Sequence, residues 1–245
     1  MDLILLIFIT FLISVLFSML GLGGAIIYTP LFFWLGFPLL TAIPMALLLN
    51  AITTASASIT YFRQRLVDTI IAFPLIFSTI LGALIGSYMA PRMNSQTLVL
   101  LLSIILILAA VRLLFLSNII SPLDGRNIKV IAVISGLFIG TVSSLVGIGG
   151  GTFIVPLLMV IGLKTKNAVA TSTFIVMFLS ISGFLGHFGF GQQQLDLRLL
   201  FFAGMAAFAG AQVGSIFIFN RTSSRTIEKI FALILLIVAL RLITG

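Results

Sequence analysis

Residues 21–31 read Gly-Leu-Gly-Gly-Ala-Ile-Ile-Tyr-Thr-Pro-Leu, and residues 147–157 read Gly-Ile-Gly-Gly-Gly-Thr-Phe-Ile-Val-Pro-Leu. The offset is 126 residues, and Gly21, Gly23, Gly24, Pro30 and Leu31 all recur. Each copy interrupts a long apolar run. In so apolar a chain, glycines followed by proline predict a helix broken at membrane depth. Backbone polar groups freed there must be buried in protein or face a wet cavity. Matching breaks in two halves are the strongest sequence pointer to a transporter's binding site.

Composition sets the class. The chain of 245 residues is 61% hydrophobic and 7% charged, with a mean hydropathy of +1.35. Soluble domains carry roughly 25% charged residues, so a polytopic membrane protein in the bilayer of the cell membrane is expected. The net charge of +8 is spread over short loops, which reads as topology determinants and not as a nucleic-acid patch. The lack of cysteine excludes disulfides, thiolate metal sites and thiol relays. Asp2 without a neighbouring Lys or Arg, and no small-residue cleavage site, marks the first apolar run as a retained helix.

A span takes about 20 apolar residues. The runs are residues 3–20, a short piece at 25–37, then 42–62, 69–90 and 96–116; after them come 129–146, a short piece at 151–163, 167–188, 197–219 and 226–243. Residues 117–128 are the one sizeable polar connection, a linker between a first repeat at 1–116 and a second at 129–245. Outside the glycine motif, Gly36 and Ala42 meet Gly162 and Ala168 at the same offset. After extra residues around Gln192–Gln194 the offset becomes 128, and Asp68 meets Asp196. Gly82-Ala83 with Gly86-Ser87 then meets Gly210-Ala211 with Gly214-Ser215, and Arg112-Leu113 meets Arg241-Leu242. Two copies of one unit make up the chain.

Charge chooses between two countings. If each break lies inside one continuous span, the basic residues divide seven against six between the two sides. If the chain turns back at each break, Arg63, Arg65, Arg112, Arg126, Lys129, Lys164, Lys166, Arg221, Arg225 and Lys229 share one side. Only Arg92, Arg198 and Arg241 then lie on the other. The second division follows the positive-inside rule. The expected fold is therefore all-α, with two inverted-topology repeats of about four spans, a broken or re-entrant helix in each, and both termini outside the cytoplasm.

Inverted repeats bring the two breaks together near the midplane. Glycines allow positive φ and close approach of a ligand to the backbone. A helix starting after each break points its N–H groups and positive dipole end at the gap, which favours an anion. Neither copy is a phosphate-binding loop, since no Gly-Lys-Ser/Thr follows. The acids Asp2, Asp68, Asp124, Asp196 and Glu228 all fall at span ends or in loops. No carboxylate lies at mid-membrane, where cation relays place one. A small anionic substrate is expected.

The candidate binding residues are Gly21, Gly23 and Gly24 with Gly147, Gly149, Gly150 and Gly151, and the polar cluster on the third segment of each half. Asn50, Thr53 and Thr54 share one helix face at i, i+3 and i+4. Asn50 leads, because an amide is costly to bury without a partner. Thr171 and Ser172 are the second-half counterparts, with Thr173, Ser180 and Ser182 alongside. The alternative for each hydroxyl is a bond to its own backbone or to a neighbouring helix. Gln212, which replaces Leu84 of the first half, either lines the path or bridges helices. His187, the sole histidine, reads as a structural residue near a span end, with a pH-sensitive gate as the alternative. Arg112 and Arg241 are expected to snorkel to headgroups. Gly82, Gly86, Gly210 and Gly214, each pair spaced by four, predict close helix contacts across the pseudo-two-fold axis.

These motifs resemble the sulfite exporter TauE/SafE family of bacterial membrane permeases over nearly the full chain. The resemblance rests on the duplicated glycine elements, on Lys164, Thr165, Asn167, Ala168 and Thr171 after the second short piece, and on Gly-Ala-x-x-Gly-Ser after Asp68 or Asp196. It implies an integral plasma-membrane protein that moves small, often sulfur-containing anions such as sulfite or organosulfonates, with no cofactor or prosthetic group. Without cysteine the chain departs from related thiosulfate carriers that depend on that residue. A secondary transporter working by alternating access is the leading expectation. The alternatives are a passive anion channel and a membrane subunit of a larger translocation complex; assembly as a homo-oligomer stays open. An enzyme is not expected: one histidine, no His-Glu-x-x-His and no buried acid leave the known intramembrane hydrolytic centres without their parts.

Overall fold

The computed structural model describes residues 3–115, 128–191, 195–217, 233, 235, 236 and 238–242. Nine helices are delimited among them: α1 (Leu3–Leu20), α2 (Ala25–Trp34), α3 (Leu39–Arg63), α4 (Thr69–Met89), α5 (Ser95–Phe115), α6 (Ile128–Val146), α7 (Gly151–Val160), α8 (Thr165–Phe190) and α9 (Leu197–Phe217). Residues 233, 235, 236 and 238–242 are helical as well, within the run expected at 226–243. The described residues contain no strand. The linker up to residue 127 and Gln192–Gln194 lie outside the described residues, as do the side chain of Arg112 and residues 221–229.

The sequence makes the helix ends visible. Asp68 accepts from Ile71 N at 3.1 Å and so caps α4; Asp196 accepts from Leu199 N at 3.0 Å before α9. Both acids predicted at span ends are thus helix caps. α1 ends in a Schellman turn, with Gly21 at φ +68, Gly21 N donating to Ser18 O and Leu22 N to Phe17 O. The second break repeats this with Gly147 at φ +73 and Ile148 N donating to Ser143 O. Pro30 and Pro156 sit inside α2 and α7. The glycines, and not the prolines, make the breaks.

After the first break the chain turns back. Tyr28 Oη on α2 lies 2.8 Å from Ser14 Oγ and donates to Thr10 O. A helix continuing onward from α1 would carry Tyr28 away from both residues. α3 then runs parallel to α1, since Ser14 meets Thr53 and Ser18 meets Tyr61.

Packing joins the two halves throughout. α4 lies along α6, and α1 lies along α9. With α1 matched to α6 and α4 to α9, these are the same contact made twice. A Cβ on Gly82 or Gly86 would strike the backbone of Leu137 and Thr141 on α6, and one on Gly210 or Gly214 the backbone of Phe11 and Val15 on α1. The glycine pairs therefore admit close helix contact, each against the first helix of the opposite half. α3 and its counterpart α8 cross antiparallel: Leu47 lies against Gly183, Asn50 bonds Ser180, and the Phe62 and Phe174 rings stand 4.6 Å apart. α3 and α8 thus run in opposite directions. Leu22, Ile26 and Ile43 share one buried core with Ile148, Val155 and Val169.

The exterior is apolar. Phe73, Phe77 and Leu81 on α4 are exposed, as are Phe201, Met205 and Phe208 on α9, the surface of a protein solvated by lipid. Four helices, Leu39–Arg63, Thr69–Arg92, Thr165–Phe190 and Leu197–Ile216, are long and apolar enough to cross a membrane. Asn167 donates to Leu66 O at 3.1 Å, so Lys164 and Lys166 lie at the same end as Arg63 and Arg65. At the other end the Arg241 guanidinium sits 5.2 Å from the Trp34 ring centre, and Arg92 lies over Tyr88.

Candidate functional site

The two breaks meet in the interior, with all seven candidate glycines buried. A Cβ on Gly151 would fall 2.6 Å from Leu22 Cα, so the second break lies directly on the backbone of the first. Each break is also stitched to the other half. Thr29 Oγ1 donates to Gly147 O at 2.6 Å, and Ser172 Oγ donates to Gly21 O at 3.3 Å. The carbonyls of Gly21 and Gly147, freed by the end of α1 and α6, each receive a hydroxyl from the opposite repeat. Gly21 is walled by Val169 and Gly147 by Ile43, which are again equivalent positions at the offset of 126.

Asn50 stands between the breaks. Its Oδ1 accepts from Gly24 N at 2.5 Å and Ala25 N at 3.0 Å, and its Nδ2 donates to Ser180 Oγ at 2.7 Å. A Cβ on Gly23 would overlap its Oδ1, and one on Gly149 would overlap its Nδ2. One fully buried amide therefore touches both elements. Gly23 and Gly149, at φ +78 and +81, hold the two positions where only hydrogen fits. The N-termini of α2 and α7 converge on this point, and no carboxylate lies inside any delimited helix.

The other candidates divide. Thr53 Oγ1 donates to Leu49 O and meets Ser14 Oγ at 2.9 Å, within the network of Ser14, Tyr28 and Thr10. Thr54 Oγ1 bonds back to Asn50 O at 2.7 Å. Thr171 Oγ1, one residue before Ser172, accepts from Asp68 N at 2.9 Å. Gln212 bridges helices: its Nε2 donates to Ser56 O at 2.8 Å, and its Oε1 accepts from Thr60 Oγ1 at 3.2 Å. Of the polar candidates, the structure brings Asn50 and Ser172 to the breaks.

Buried side chains ahead of each break complete the picture. His187 is fully buried, and its Nε2 donates to Ser144 O at 2.8 Å. Tyr61 donates to Ser18 O at 2.6 Å. Tyr61 and His187 are one offset of 126 apart, as are Ser18 and Ser144. Both side chains hold the last turn before a break, so His187 belongs to the core and not to the membrane interface. Aligning the halves residue by residue was the signal that finds this pair; unlike residue types hide it. Outside the breaks, a recess of about 530 Å³ lies between α3 and α9, lined by Leu48, Ile52, Phe201, Gly204 and Phe208 among others. It offers no donor to an anion and suits hydrocarbon. The described residues contain no cluster of metal-ligating side chains.

Known membrane-transporter sequences resemble the chain. The family profile described as Sulfite exporter TauE/SafE matches residues 6–242. The chain is 26% identical over 254 residues to a Bacillus subtilis protein named probable membrane transporter protein YunE, covering 92% of each chain. It is 36% identical over 120 residues to a probable membrane transporter protein of Haemophilus influenzae, covering 45% of this chain and 46% of that one. A stretch of 90 residues is 31% identical to the Arabidopsis thaliana sulfite exporter TauE/SafE family protein 1, covering 37% and 20% of the two chains. No solved structure matches the chain.

Proposed function

We propose, from the premise that this chain belongs to the sulfite exporter TauE/SafE family, that it is a secondary transporter that carries a small anion, sulfite or an organosulfonate, across the cell membrane. The observation that carries the reading is the meeting of the two glycine breaks around Asn50. Two half-helices aim their positive ends at one interior point. The absence of a carboxylate from the delimited helices supports an anion over a cation.

Alternating access follows from the same packing. The breaks are held by hydroxyl–carbonyl bonds between repeats, and the equivalent helices α3 and α8 cross antiparallel. Rocking one repeat against the other about this crossing opens the junction first to one side and then to the other. That crossing also supports inverted repeats with both termini outside the cytoplasm. Arg63, Arg65, Lys164 and Lys166 at one end against Arg92, Arg198 and Arg241 at the other orient the protein with the first group inside.

Flux of labelled sulfite and labelled methanesulfonate into proteoliposomes tests the transport reading. Saturable uptake by the intact protein is expected. Absence of flux for both, with the protein folded and inserted, sinks it. Reporter fusions that read cytoplasmic at either terminus would overturn the orientation.

A further inference from the structure

Five buried side-chain atoms among the described residues lack a hydrogen-bond partner: Thr10 Oγ1, Ser58 Oγ, Ser143 Oγ, Ser144 Oγ and His187 Nδ1. Three of the five occur at one place, the last turn of α6 before the second break. Ser143 Oγ lies 3.0 Å from where a Cβ on Gly150 would stand, so it faces the start of α7. Ser144 Oγ lies 2.9 Å from the corresponding point on Gly183. His187 follows Gly183 by one helical turn on the same face of α8, and its ring is fixed by the bond from Nε2 to Ser144 O. A carbonyl only accepts, so the ring proton is on Nε2 and Nδ1 is a bare acceptor.

The equivalent place in the first half has no such vacancy of partners. At the equivalent positions stand Phe17, Ser18 and Tyr61. Ser18 Oγ donates to Val15 O, and the one polar atom of the Tyr61 side chain is used on Ser18 O. Among the described residues no side chain does for Gly150 and Gly151 what Asn50 does for Gly24 and Ala25. Leaving a buried polar group unpaired costs its full desolvation. Ser143 Oγ unpartnered beside an uncapped helix N-terminus, with Ser144 Oγ and His187 Nδ1 unpartnered on the adjoining residue and helix, marks a place that a ligand completes.

The charges around His187 give that ligand its sign. The helices packed on α8 are α3, α4, α6 and α7. Their titratable or charged residues are Tyr61 and Arg63 on α3, Tyr88 on α4 and Lys129 on α6, with none on α7; α8 itself carries Lys166. Just past α4, Arg92 lies exposed over the Tyr88 ring, and that ring meets Phe190. No carboxylate is present on any of these helices. A proton on Nδ1 would therefore make a buried cation without a protein counter-ion, a state that an anion at the α7 N-terminus would balance.

We propose that Ser143, Ser144, His187 and the α7 N-terminus form a site that holds one small monovalent anion together with one proton. The proton binds Nδ1 of His187, and the anion accepts from Nδ1–H, from the two serine hydroxyls and from the N–H groups of Gly150 and Gly151. Both ligands leave together on the other side, so a monoanion crosses with one proton and no net charge moves. This inference rests on the anion-transport reading and adds to it the coupling ion, the charge of the substrate, and the choice of the second break over the first.

The test uses purified full-length chain in liposomes, labelled methanesulfonate as a permanent monoanion, and a one-unit pH gradient, acidic outside. The wild type is expected to accumulate the anion about tenfold at equilibrium, the ratio set by one proton per anion. His187→Gln and His187→Tyr should equilibrate the anion without accumulating it. The tyrosine variant reproduces the first half's bond to the serine carbonyl and so guards against loss of fold. Ser143→Ala should raise KM about tenfold while leaving accumulation intact. Undiminished accumulation in both His187 variants, or a wild type that transports without responding to the gradient, would overturn the proposal while leaving anion transport standing. No flux in the wild type would remove the anion reading itself.

Discussion

At the first break Gly24 has φ −147 and donates its N–H to Asn50; at the second, Gly150 has φ +76 and faces Ser143. The sequences differ little here, Gly-Leu-Gly-Gly-Ala against Gly-Ile-Gly-Gly-Gly. What separates them is a residue elsewhere in the chain. Asn50 sits on the junction, and its equivalent at the offset of 126 is Val176. A single amide oxygen takes the first N–H groups of α2, leaving those of α7 for something else. Two similar motifs thus differ in chemistry through their surroundings: Asn50 against Val176, and Phe17 and Tyr61 against Ser143 and His187. The lesson is that pseudo-symmetric halves must be compared by their partners as well as by their motifs.

The hardest way to break this junction is to fill it. Gly149→Val and Gly23→Val each place a side chain into Asn50 at a positive φ that costs about 1–2 kcal/mol by itself. Both should reduce flux more than a hundredfold in proteoliposomes, with insertion judged by membrane yield. Normal flux in either variant would contradict the placement of Asn50 between the breaks.

Exchanging the breaks' last residues sharpens the contrast. Gly151→Ala drives a Cβ into the Leu22 backbone at 2.6 Å, and should cost about 2–3 kcal/mol with a marked fall in Tm. Ala25→Gly, the reverse exchange in the first half, should cost only about 1 kcal/mol. Equal losses in the two variants would show that the second break does not rest on the first.

A smaller effect is expected at the other place where the halves diverge. Gln212→Leu restores the residue found at Leu84 and removes three bonds to Ser56 and Thr60. It should lower stability by about 1–3 kcal/mol and leave KM unchanged, since Gln212 ties α9 to α3 and does not reach the breaks. A shift in KM without a loss of stability would reassign it to the path. Least of all, Asp68→Ala and Asp196→Ala should each cost about 1 kcal/mol through the lost cap. The two losses should match, because these caps are the part of the repeat that stayed symmetric.

Much of this was legible before any coordinates. The helix positions followed from apolar runs, and the breaks from glycines whose lack of a Cβ permits φ +68 to +81. The close crossings of α4 on α6 and α9 on α1 followed from glycine pairs spaced by four. Asn50 was visible as an amide too costly to bury alone. Illegible were Ser143 and Ser144, because serines in apolar helices ordinarily bond their own backbone. Nothing in a one-dimensional pattern says that these two do not. Thr171 and Gln212 read as candidate donors by type, Gln212 equally as a bridge between helices; in the structure Thr171 accepts from Asp68 N, and Gln212 bonds Ser56 and Thr60.

The sequence by itself determined that the chain belongs in a lipid bilayer, that it is a duplicated helical unit, and that each unit breaks at a glycine cluster. Those properties depend on solvent preference and local backbone sterics, which residue type and spacing encode directly. Only the tertiary structure decided which N-terminus Asn50 occupies, 26 positions from Gly24 and 130 from Ser180, and which buried hydroxyls remain without partners. The geometry of these contacts is set by how α3 and α8 cross, a consequence of packing the whole chain at once.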